Sequence, residues 1–138
     1  MISHHAALIY VMVMVSAADR NMTDAELRMI GEIVNFLPIF REYDPELLLR
    51  TTATCAELLD ADDGLDRILE VIKAALPPRL RETAYALACD VAAADGEPHA
   101  EVRRLLELFR HRLGIDRLVA AAIERGAIAR FAREPVHA

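Results

Sequence analysis

Carboxylates gather at two short breaks in an otherwise apolar, alanine-rich chain. At the first, Asp19, Asn21, Thr23 and Glu26 set oxygen atoms at relative positions 1, 3, 5 and 8; at the second, Asp95, Glu97, His99 and Glu101 occupy 1, 3, 5 and 7. Alternate oxygens along a turn are how hard cations are caged, so the chemistry these residues suggest is binding of Ca2+ or Mg2+. An EF-hand is excluded, because that loop needs Gly at position 6 and a bidentate Glu at 12, where this chain has Asp24 or Ala100 and Ile30 or Leu106. What the pattern permits is a composite site in which both breaks share Asp19, Glu26, Asp95, Glu97 and Glu101 around one ion. A second reading needs no metal: Asp19 ends one helix, Thr23 and Glu26 cap the next, and acids near a helix N-terminus meet the positive end of its dipole.

Other chemistry is thinner. Asp60-x-Asp62-Asp63-Gly64 is similar to half a calcium loop, but its Gly falls at relative position 5 and position 12 is Val71, so helix capping by Asp62 or Asp63 is the expectation. His4, His5, His99, His111 and His137 share no ligand spacing, which argues against zinc. No Gly-rich phosphate loop, G-x-S-x-G, Cys-His pair or H-E-x-x-H is present, and the reading is of a protein that is not an enzyme. Asp90 interrupts an apolar helical run and calls for an arginine from the sixth or seventh helix. Cys55 and Cys89 lie inside apolar patterns as small core residues, in keeping with a reducing compartment.

The elements that position these residues are helical. Ala6 to Ala18 is apolar on every face, as a helix surrounded by other helices is, and although its Val-Met-Val-Met-Val run alternates like a strand, nothing else in the chain would pair with it. A second helix opens with the capping box Thr23-x-x-Glu26, carries a stripe of Leu27, Ile30, Ile33, Val34 and Leu37, and stops at Pro38. Asp44-Pro45 opens a third to about Leu59; Leu65, Ile68, Leu69, Ile72 and Leu76 mark a fourth; Pro77-Pro78 starts a fifth. Pro98 opens the sixth and Gly114 stops it, while Asp116 caps a seventh, Arg117 to about Arg125, that Gly126 ends, with Ala127 to Arg133 adding a last turn or fraying. An offset of 76 residues pairs Asp19 with Asp95, Ile30 with Leu106, Ile33 with Phe109 and Leu37 with Leu113, which predicts two related helix pairs, with residues 6–18 and 79–94 as their buried helices. The expected fold is all-α, about seven helices in one domain spanning residues 1–138.

A length of 138 residues suffices to bury roughly two-thirds of the unfolded surface. The net charge of −6 argues against nucleic acid. That charge is uneven: residues 42–70 hold nine carboxylates against two arginines, and residues 101–138 hold eight arginines against five carboxylates. The acidic stretch is therefore an alternative docking face for a protein partner, without any metal. The apolar run near the N-terminus is too short to span a bilayer and no basic n-region marks a signal, so direct membrane insertion is not expected and the cytoplasm is the default location.

The Ala-Asp breaks, each after a buried Ala-rich helix and before a Leu-striped one, resemble the tellurite-resistance TerB-like family over about His5 to Leu118. The best-matching piece is Ala92-Ala93-Ala94-Asp95-Gly96-Glu97 with Leu105-Leu106 and Leu113-Gly114. The family pattern is Asp-Gly with Glu seven positions after the Asp; here Asp19 and Glu26 keep the spacing but Arg20 replaces Gly, and Asp95-Gly96 is followed by Val102 with Glu101 one place early. The resemblance implies a cytoplasmic stress-response or metal-linked module with an acidic divalent-cation site, a protein partner and no catalysis. It does not imply tellurite binding, since carboxylates repel an oxyanion.

Overall fold

The computed structural model describes residues 1–18, 23–94 and 96–135. Among these the chain is all-helical, with α1 (His4–Ala17), α2 (Asp24–Phe36), α3 (Leu48–Asp60), α4 (Gly64–Ala75), α5 (Pro78–Ala93), α6 (Ala100–Arg112) and α7 (Arg117–Arg130). Short 3-10 turns at Pro38–Phe40 and Pro45–Leu47 join α2 to α3.

The first helix has no polar face because it has no wet one. Every residue from Ala7 to Ser16 is buried, with α5 packed most extensively against it and α2, α3, α4 and α6 around the rest. Ser3 caps it, its Oγ accepting from the Ala6 amide at 3.0 Å. Burial has one local cost: the Ser16 hydroxyl has no hydrogen-bond partner among the described residues, worth about 1–3 kcal/mol. No described helix is long and apolar enough to cross a membrane.

Three helix starts and one helix end differ from the sequence expectation; at the sixth, Pro98 precedes the N-cap His99 and α6 begins at Ala100. Asp44 accepts from the Glu46 amide at 3.0 Å, yet the turn it caps is 3-10, and α3 proper begins at Leu48. Asp63 stands at the N-cap of α4 in the left-handed region, at φ 57°, and its side chain makes no cap bond. The adjacent Gly64 explains that turn: a Cβ there would lie 2.4 Å from the Leu58 carbonyl oxygen and 2.6 Å from that of Leu59, so α4 crosses the end of α3 too closely for any side chain. Gly126 does not end α7, which continues to Arg130. A helical glycine costs only about 1 kcal/mol, and here burial of Ala127 together with bonds from α7 to α5 outweighs it.

Those bonds define how α5 and α7 lie. Tyr85 pairs with Glu124, and Asp90 forms an ion pair with Arg130, the seventh-helix arginine that its partly buried carboxylate requires. Both pairings advance in the same direction, so the two helices run parallel, with α6 returning between their ends. The limits of α2, residues 24–36, recur in α6 at the 76-residue offset, and α1 and α5 end at the equivalent Ala17 and Ala93.

Candidate functional site

At the first hinge the box forms as its residue types require. Thr23 Oγ1 accepts from the Glu26 amide at 3.1 Å, while Glu26 Oε1 accepts from the Thr23 amide at 3.0 Å and from its hydroxyl at 3.1 Å. Glu26 is 7% exposed, a buried carboxylate satisfied by the cap. Asp19 lies outside the described residues.

The second hinge is built differently. Asp95 also lies outside the described residues, and Val102 stands where a box would need Glu or Gln. Gly96 is at φ +104°, and the Arg133 guanidinium covers it, 3.5 Å from where a Cβ would point. Arg103 Nη1 donates to the Pro98 carbonyl at 2.8 Å, tying α6 back onto the hinge. Glu97 and Glu101 are both exposed and face different recesses. Glu97 borders a groove between α6 and α7, while Glu101 borders a cavity of about 330 Å³ beside Met14, Leu59, Leu65 and Leu105. The described members of the expected ligand set, Glu26, Glu97 and Glu101, therefore do not converge. No group of three acids, histidines or cysteines suited to a metal occurs among the described residues.

What the helices do bring together is that groove, of about 820 Å³. Both α6 and α7 lean on α5, and the space between them stays open above it. Its floor is small or flat: Ala92, Cys89 and Tyr85 from α5, Ala120 and Ala127 from α7. Leu106, Ile128 and Phe131 supply the apolar walls, and Arg103, Arg110, Arg117 and Arg133 stand around the rim with Glu97, Glu107 and Glu124.

The polar groups of the floor are held in their neutral or paired forms. The Tyr85 hydroxyl donates to Glu124 Oε2 at 2.6 Å, and burial, reinforced by that bond and the nearby carboxylate charge, pushes its pKa well above the usual phenol range. Burial, with the charge of Glu124 second, pushes the Cys89 thiol up to about 12. A thiol so placed stays protonated at neutral pH and is a poor nucleophile. Cys55 is likewise pushed up to about 12 by burial, donating weakly to the Tyr10 carbonyl at 3.9 Å. The groove offers an apolar slot, neutral donors and a guanidinium rim, an arrangement suited to holding a molecule.

Tyr85, Glu124 and the gap between α6 and α7 escape a reading of spacing, because the pair is 39 residues apart. The one sequence signal that touches the groove is the arginine excess after residue 101. No family model matches the chain, and no curated protein or solved structure matches it either.

Proposed function

We propose that the chain is a non-enzymatic binding module of TerB-like type, and that its binding element is the groove between α6 and α7, which takes a small apolar molecule. The observation that carries this reading is the floor: side chains between 1% and 9% exposed line an 820 Å³ recess whose walls are apolar. Recesses of roughly 300–1,000 Å³ with apolar walls and few polar groups are the usual form of small-molecule sites. The buried, protonated thiol and phenol supply no activated nucleophile, which supports binding over catalysis. The test is saturable binding of the neutral dye Nile red, with Ala120→Trp filling the slot. Enhanced fluorescence that the substitution abolishes, with helicity unchanged, is the expected result. Fluorescence that is unsaturable, or indifferent to Ala120→Trp in folded protein, overturns the reading.

A cation-linked, stress-response role rests on the hinges. With Oε1 of Glu26 engaged in its cap, such a site draws on Asp19 and Asp95 with the exposed Glu97 or Glu101. That reading expects millimolar Ca2+ or Mg2+ to raise the melting temperature by mass action and Asp95→Ala to remove the rise. A melting temperature indifferent to both ions ends it.

A further inference from the structure

The groove's charge says more about its occupant than its size does. The chain carries a net charge of −6, yet four arginines and only three glutamates border this recess. One of the three, Glu124, already accepts the Tyr85 hydroxyl, and Glu97 is exposed, so solvent screens its charge. The guanidinia are also placed. Arg103 is fixed to the Pro98 carbonyl by one of its N–H groups, and Arg133 lies over Gly96, so two guanidinia border the hinge end of the recess, each against backbone two residues from the other's. Guanidinium is the cation best matched to a carboxylate, through paired N–H donors.

Between its ends the recess is lined by Leu106 and Ile128 over the buried Tyr85, Cys89 and Ala127, so the body of its occupant is apolar. The alanines at 92, 120 and 127 leave that slot open without polar obstruction.

Building on the proposal that the groove takes a small apolar molecule, we infer that this molecule is a free long-chain carboxylic acid. Its alkyl chain lies along the α5 floor between Leu106 and Ile128, and its carboxylate sits at the hinge end against Arg103 and Arg133. Glu97, at the same end, weakens the site slightly.

The experiment displaces bound Nile red with dodecanoate, dodecanol and dodecylamine, three probes with one alkyl chain and different head groups. Dodecanoate is expected to compete about tenfold or more better than dodecanol, and dodecylamine worst, a difference typical of a charge-assisted contact. Arg133→Gln, in the segment after α7, lowers the dodecanoate affinity while leaving dodecanol unchanged; Arg103→Gln does the same, and Glu97→Gln raises it. Equal competition by the acid and the alcohol, or an acid affinity indifferent to both arginine changes, overturns this inference while leaving the groove a binding site. If none of the three displaces the dye, or no dye binds, the groove itself is not a site and both proposals fall.

Discussion

Replacing Cys89 by Ala changes how the fold responds to alkali more than how it responds to heat. In the folded chain this thiol sits 4% exposed on the groove floor and its proton is held up to about pH 12, against 9.0 for an ordinary thiol on the same scale. Raised folded-state pKa values fix the sign: the contribution to stability is fully present below about pH 9 and is lost progressively as pH rises toward 12, because the unfolded thiol releases its proton first. Within that window each such thiol removes about 1.4 kcal/mol of folding free energy per pH unit. Cys55 behaves alike, being wholly buried with its proton also held up to about 12, so the two together account for a slope of about 2.7 kcal/mol per unit. Tyr10 and Tyr85 are also pushed upward from 10.0, which adds to the loss only beyond pH 10 and leaves pH 9 to 10 to the thiols. The assay is urea unfolding followed by circular dichroism at intervals from pH 7 to 10.5. Cys89→Ala is expected to lower stability modestly at pH 7 and to halve the thiol slope above pH 9; Cys55→Ala does the same, and the double variant flattens it. A slope unchanged by either substitution refutes the burial of the thiols and, with it, the closed floor of the groove.

Two further outcomes test how the hinge and α7 are built. Thr23→Ala removes one side of the capping box and is expected to lower unfolding free energy by about 1 kcal/mol, read by the same denaturation, with the loss independent of added Ca2+. Gly126→Ala is expected to stabilise the chain by about 0.5–1 kcal/mol, since the new methyl meets only the far end of Arg130 at 3.3 Å; a loss of stability shows that the helix does not run through residue 126.

The helices were legible where apolar spacing and caps coincide. The unbroken burial from Ala7 to Ser16, the Thr23–Glu26 box, the Pro78 start and the Asp116 cap follow from residue types acting over a few turns, and the Asp90 ion pair with Arg130 follows from a carboxylate in an apolar helical run. Gly126 misled because glycine is a weak helix breaker whose effect depends on what docks beyond it, and Ala127 and Arg130 dock on α5. Asp63 misled because its backbone is at φ 57°, beside the close crossing at Gly64, rather than in the extended conformation of a capping residue, and its side chain makes no cap bond. The acidic hinges were visible as composition, but whether carboxylates converge depends on how distant helices cross, which spacing along one helix does not encode. The groove was invisible for the same reason, being a space that three helices leave rather than a pattern any one of them carries.

The unbroken burial of α1 from Ala7 to Ser16 has a consequence for how the chain is made. Residues 4–17 are synthesised before residues 78–93, which are their principal partner. At typical synthesis rates of about 5–20 residues per second, such a helix waits several seconds for its largest partner. Chains halted after α4 lack the helix that covers most of α1, and the apolar side left open to water favours chaperone binding or aggregation.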